Sequence, residues 1–275
     1  MERLLANGAE LEYETTGTGE PLVLIHGAIS AEAFDCLLAE STLTSRYQLI
    51  NYHRRGFLGS THHDGPFSIA QQAQDALAMI RHVAGGRAHV AGHSYGGATL
   101  LQLALDAPEA VHTLSLLEPP LPVPSAEAFI GRLAALYPVY ESGDRLRAVD
   151  DFLDIALGPG EYNDVAGANF PEGWHDRAVD DIDTLYQVEF PALAEWQFTE
   201  DLARRITQPV LSVVGAISDQ FFQEGDALIR EWFPQAETFV VPDASHGLQF
   251  MNTRGMADGL AAFLEKHPMR VPAPA

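Results

Sequence analysis

Short apolar runs alternate with amphipathic stretches along most of the chain. Residues 11–15 and 21–25 carry β-compatible side chains on either side of the glycine-rich turn Gly17-Thr18-Gly19, a pattern that predicts two strands joined as a hairpin. The second run is apolar throughout, as in a strand covered on both faces inside a sheet, and residues 47–52 and 89–91 read the same way. Between these two, residues 69–82 place Ala73, Leu77 and Ile80 four and three apart, the stripe of a helix packed on a sheet. A helix over 98–106, stopping near Pro108, and a buried strand over 111–117 continue the alternation. Such an order implies parallel strands joined by right-handed crossovers, with helices flanking the sheet.

After Glu118-Pro119-Pro120 the alternation stops. Residues 126–136, 145–157 and 175–190 read as helices, and strands resume only at 209–214 and 238–241, with helices over 222–232 and 255–266. The expected organisation is a single α/β core built from 1–119 and 200–275, interrupted by a helical cap over 120–199, with a loose tail at 268–275.

Charge narrows the partners. With 16 Lys plus Arg against 38 Asp plus Glu, the net charge of −22 repels phosphate backbones and anionic membranes. A neutral, partly apolar small molecule is the expected partner of a monomer or homodimer, and nucleic acid and membrane are excluded on this reading. The single Cys36 cannot form an intramolecular disulfide, which points to a reducing cytoplasm. Neither a basic start with an apolar segment nor an apolar run near the roughly 20 residues of a membrane span is present, so secretion and membrane insertion are not expected.

The chemistry is concentrated in Gly92-His93-Ser94-Tyr95-Gly96-Gly97, which follows an apolar strand and opens a helix. G-x-S-x-G in that context makes a sharp turn that projects the serine hydroxyl above a sheet, with glycines where a Cβ would obstruct. The amide of Tyr95, at the start of the helix, is placed to stabilise an oxyanion formed when Ser94 attacks a carbonyl. The amide of Ala28, in His26-Gly27-Ala28 at the end of the early apolar strand, is the expected second donor, with Gly27 allowing close approach and His26 shaping the loop. Among 11 histidines, His246 is the preferred base, since it follows the final strand in Asp243-Ala244-Ser245-His246-Gly247. His93 lies in the elbow and is expected to point away from the nucleophile. His53, His62 and His63 lack the spaced partners of a metal site, so no metal is expected.

These motifs, with Arg55-Gly56-x-x-Gly59-Ser60, give the chain a resemblance to the α/β-hydrolase fold over essentially its whole length. The resemblance implies a Ser-His-acid triad beneath a helical lid and no organic cofactor. It is similar to the small bacterial group acting on esters, lactones or, less often, carbon–carbon bonds; haloalkane and epoxide relatives use Asp where this chain has Ser94. The commoner family pattern sets the acid three residues after the glycine ending the penultimate strand. Here that glycine is Gly215, three residues on is Ser218, and the carboxylate comes one later, at Asp219. The other candidate is Glu118, at the end of the strand after the elbow helix, where some relatives carry their acid. Glu118 is favoured, because a carboxylate at a buried strand end before two prolines has few structural reasons to be there. Asp219 has an alternative role as a helix N-cap.

Phe129, Leu133, Tyr137, Tyr140, Trp174, Tyr186, Phe190 and Trp196 supply aromatic and aliphatic surface to the expected cap. Gly27, Tyr95, Leu248, Phe250, Tyr137 and Trp174 are the expected substrate contacts. The acidic run Asp180-Asp181-Ile182-Asp183 reads as a solvated helix face. The function expected from these residues is a serine hydrolase cleaving a carboxylic ester or lactone through an acyl-enzyme on Ser94. A carbon–carbon hydrolase and a non-catalytic binder of the same fold are the alternatives.

Overall fold

A computed structural model describes residues 1–62, 65–158 and 170–269. Eight strands form one sheet: β1 (Glu2–Ala6), β2 (Ala9–Gly17), β3 (Glu20–Ile25), β4 (Tyr47–Tyr52), β5 (Ala88–His93), β6 (Val111–Leu117), β7 (Val210–Gly215) and β8 (Glu237–Val241). Their spatial order is β1-β2-β4-β3-β5-β6-β7-β8, with β1–β2 and β2–β4 antiparallel and every later pair parallel.

The β2–β3 hairpin expected from the Gly17–Gly19 turn does not form. Strand β4 lies between the two, and β2 instead forms a hairpin with β1. That turn is Asn7-Gly8, both with positive φ (51° and 75°), the pairing that two-residue hairpins favour. Gly17 and Gly19 serve tight packing: a Cβ on either would strike the backbone of Thr44 or Arg46.

The apolar runs are covered on both sides. On β3, Val23 and Ile25 face a core shared with the helices Ile69–His82, Tyr95–Asp106 and Gln220–Trp232. Leu22 and Leu24 face a second core against Thr253–Leu264 and the turn Asp35–Ala39. With alternate residues committed to opposite cores, a polar side chain at any inner position loses burial worth about 1.5–3 kcal/mol.

Between β6 and β7 the described residues are helical or irregular: Ala126–Ala134, Tyr137–Glu141, Arg145–Leu157, Trp174–Asp180 and Phe190–Glu195, then the short turn Glu200–Ala203. The single helix expected over 175–190 is broken at Asp181, and beyond the break Thr184–Glu189 is a π-helix. This helical insert has its own apolar core, which reaches the sheet domain through Ile29 and Phe250. Among the described residues no helix is long and apolar enough to cross a membrane. His63 and the last residues of the expected tail lie outside the described residues.

Candidate active site

Strand β5 runs into Ser94, whose backbone (φ 52°, ψ −120°) lies in a region that non-glycine residues rarely occupy. The turn is held from both sides. Ser94 N–H donates to Leu117 O on β6 at 2.8 Å, and Ser94 O accepts from Gly97 N–H at 2.8 Å. A Cβ on Gly92 would lie 2.4 Å from Gly96 O, and one on Gly96 only 2.1 Å from Ile25 O. Both glycines are therefore required by backbone-to-backbone contact.

His246 follows β8 and is buried, 5% exposed. Its Nδ1–H donates to Glu118 Oε2 at 2.5 Å. Glu118, 3% exposed with φ 48°, leaves β6, and its other oxygen, Oε1, accepts from Gly215 N–H at 2.8 Å and from Ser218 Oγ–H at 2.5 Å. Ser218, standing where the commoner family pattern has its acid, is thus a donor to the carboxylate that faces the histidine. Asp219 is elsewhere: Oδ1 caps Gln220–Trp232 through Phe221 N–H at 2.9 Å, and Oδ2 pairs with Arg132 at 2.6 Å on the surface.

The imidazole of His246 is sandwiched between the Phe222 ring, 3.8 Å away and nearly parallel at 8°, and His93 at 4.6 Å. His93, expected to point away from the nucleophile, lines the same cavity as Ser94. Its Nε2–H donates to His246 O at 2.9 Å, while Nδ1 accepts from Gln249 at 3.3 Å, an arrangement that suits a neutral ring. Burial, with the neighbouring His246 adding to it, holds His93 well below the usual histidine pKa.

Ser94 and His246 open onto one cavity, walled by Ala28, Ile29, Phe152, Leu153, Ala156, Leu157, Phe170, Trp174 and Phe250. Of the expected substrate contacts, Phe250 and Trp174 are there, and Gly27 lies beneath Ser94, where a Cβ would come within 3.1 Å of the serine Cβ. Leu248 is not a wall residue, since it is fully buried in the core behind Thr253–Leu264. The Tyr95 side chain is turned inward against Ile69, Ala98 and Ala192. Tyr137 belongs to a separate apolar groove with Phe129, Leu133, Phe190, Trp196 and Phe221.

The loop 26–30 beside Ser94 is pinned from behind. Arg54 Nε–H donates to His26 O at 2.9 Å and Nη2–H to Gly27 O at 2.8 Å; His26 Nδ1–H also donates to Gly27 O, and His26 Nε2 accepts from Arg54 N–H. Burial first, and the Arg54 charge second, keep His26 well below its ordinary pKa. In a trans peptide, C=O and the following N–H point opposite ways, so clamping Gly27 O turns Ala28 N–H away from Arg54. Neither Arg54 nor the support from Phe222 and Ser218 is visible in a motif; each depends on tertiary packing. The neighbouring Arg55 pairs with buried Asp75 at 2.9 Å.

The acidic run is a solvated face only in part: Asp180 is exposed and Asp183 half-exposed, whereas Asp181 is buried. Asp181 accepts from Leu58 N–H and from His62, and Asp183 accepts from Tyr140 and Arg145. Cys36 donates to Gln249 O, and burial pushes its thiol up to about 12, which leaves it unreactive. No group of three potential metal ligands occurs among the described residues.

The sheet order, the strained serine turn and the histidine after the last strand define a hydrolase-type α/β protein. The sequence profile of the alpha/beta hydrolase family matches residues 22–261, and the chain belongs to that family. It is 37% identical over 108 residues to the protein named carbamate hydrolase RutD of Azorhizobium caulinodans, covering 39% of this chain and 40% of that protein. Thus the chain spans about two fifths of the length of that curated relative. Its fold is similar to the enol-lactonase of Burkholderia xenovorans LB400 (TM-score 0.80, 18% identity, 96% of this chain and 100% of that one). A thermophilic esterase from Thermogutta terrifontis superposes with a TM-score of 0.76 at 22% identity, covering 98% of this chain and 100% of that one.

Proposed function

We propose that the protein is a serine hydrolase of neutral carboxylic esters or lactones, with Ser94 as nucleophile, His246 as base and Glu118 as the acid that orients it. The observation that carries this reading is that Ser94 and His246 share one cavity while Glu118 occupies His246 Nδ1, leaving Nε2 as the nitrogen available to the serine. His246 takes the hydroxyl proton, Ser94 attacks the carbonyl carbon, and the amides of Ala28 and Tyr95 hold the oxyanion. Collapse expels the alcohol, protonated by His246, and water repeats the sequence to release the acid. The apolar cavity walls favour an uncharged acyl group, and carbamates of the kind named for the relative present a carbonyl of the same geometry. Residues 120–199 act in this reading as the cap that closes the cavity, and the protein works in the cytoplasm.

The test is pre-steady-state hydrolysis of p-nitrophenyl butyrate, paired with fluorophosphonate labelling. Wild type should give a nitrophenolate burst and a labelled serine; Ser94→Ala, folded to the same extent, should give neither. Burst and label persisting in the variant, or absent from both proteins, would sink the assignment.

A further inference from the structure

The buried Arg54 has no part in the triad, yet it joins the loop beside Ser94 to the helical insert. We propose that Arg54 is a positioning residue: it aims the oxyanion loop and, through Glu189, fixes that loop to the helical insert. The inference rests on the serine-hydrolase reading of the cavity.

Arg54 and Glu189 are both fully buried, and Arg54 Nη2 reaches Glu189 Oε1 at 2.6 Å. The same Nη2 holds Gly27 O, so one nitrogen bridges the loop and the insert. The guanidinium lies over the rings of Phe57 and Tyr95, 4.9 and 4.7 Å from their centroids, which fixes its plane. A buried ion pair is weak evidence of stability, because desolvation offsets the attraction. Among the described residues Arg54 Nη1, Glu189 Oε2 and Tyr95 Oη have no hydrogen-bond partner. Two further features show what the pair does. The Gly27 carbonyl it grips belongs to the peptide unit of Ala28 N–H, the proposed oxyanion donor, and the next residue, Ile29, is β-branched with φ 64°, a conformation that needs outside support.

The second feature is the π-helix Thr184–Glu189. In an α-helix, residues five apart are about 140° apart around the axis, since five steps of roughly 100° make 500°. The i→i+5 bonding of a π-helix brings such residues back towards one face. Thr184 and Glu189 accordingly meet the same loop: Thr184 Oγ1–H donates to Gly56 O at 2.7 Å, and Glu189 meets Arg54 two residues earlier. Gly56 is required there, as a Cβ would lie 2.7 Å from Thr184. With Asp181 on Leu58 N–H and His62, three residues of the insert grip four of residues 54–62, and among the described residues only the Arg54 contact of these continues to the oxyanion loop.

The experiment replaces the pair by apolar residues of similar size, Arg54→Met with Glu189→Leu, a change that is commonly neutral or stabilising for a buried pair. The double variant should melt at or above the wild-type temperature. Its turnover of p-nitrophenyl butyrate should fall about 100-fold with KM nearly unchanged, the size of effect seen when one oxyanion donor is lost. Arg54→Lys, which keeps the charge but not the fork, should not restore more than a tenth of the wild-type rate. Hydrogen exchange at residues 26–30, measured without substrate, should quicken about tenfold in the double variant. A stable double variant that keeps turnover within threefold, or whose loop exchanges as in wild type, overturns the proposal. A wild type with no Ser94-dependent turnover defeats the hydrolase reading instead; loop exchange then decides the clamp by itself, faster exchange upholding it and unchanged exchange overturning it.

Discussion

Replacing Glu118 by Gln alters one atom, and the surroundings dictate what that atom does. Glu118 Oε1 is committed to two donors, Gly215 N–H and Ser218 Oγ–H, so the Gln carbonyl takes that place and its NH₂ faces His246 Nδ1. A donor there forces Nδ1 to accept, which moves the imidazole proton to Nε2, the nitrogen that receives the Ser94 proton in the proposed mechanism. The base is then in the wrong tautomer although its ring, packed between Phe222 and His93, has not moved. Losses of this origin are on the order of 10⁴ in turnover, about 5 kcal/mol of barrier. The assay is steady-state p-nitrophenyl butyrate hydrolysis at matched folded concentration, with Asp219→Asn as the control. Asn caps helices as well as Asp and Arg132 is half-exposed, so the control should stay within about threefold of wild type. Adding Ser218→Asp to Glu118→Gln returns a carboxylate to the neighbouring strand end, and should recover at least about tenfold. A Glu118→Gln enzyme within tenfold of wild type, or a larger loss in Asp219→Asn, would refute the reasoning.

Two further outcomes are expected. Burial first, then Glu14 and Glu32, push the Asp35 carboxyl up to about 7, against the opposing hydrogen bond from Asn51. Unfolded Asp titrates near 4, so between about pH 4 and 7 the native state binds the extra proton and this group's contribution to stability falls as pH rises. Asp35→Asn should melt higher than wild type at pH 8 and lose that advantage towards pH 4; a constant difference across the range would disprove it. Gly96→Ala should destabilise by at least about 2 kcal/mol in denaturant titration, because the new Cβ meets the Ile25 carbonyl at 2.1 Å and neither strand nor helix has room to yield. A variant as stable as wild type would show that the strand or the helix can give way.

Much of the parallel core is legible in the amino-acid sequence, because β3 is buried on both faces and carries the unbroken apolar run Leu22–Ile25, while β5 and β6 keep shorter apolar stretches around buried polar residues such as His89, Thr113 and Ser115. The serine turn is equally legible, its glycines being demanded by contacts within a few residues. Strand β1 escapes the hydrophobic pattern: Glu-Arg-Leu-Leu-Ala is an edge segment with little buried surface, and its Asn-Gly turn is the signal that outweighs Gly17-Thr18-Gly19. The π-helix is illegible, since a helix shifted in register by its contacts to Gly56 and Arg54 has the same local composition as a regular one. Nothing in the two adjacent arginines Arg54 and Arg55 announces that both are buried.

The carboxylate facing His246 leaves β6, while the residue standing at the commoner acid position leaves β7 and touches it. These strands are neighbours, paired from Leu114 and Val210 to Leu117 and Val213, so their ends open onto the same few ångströms of space. A histidine there responds to a location rather than to a chain address. During divergence, a lineage can carry acids on both strand ends and then lose either one without passing through an inactive ancestor. Fixed-spacing signatures built on one strand will overlook descendants of the other, whereas a search for any carboxylate at either strand end would recover both.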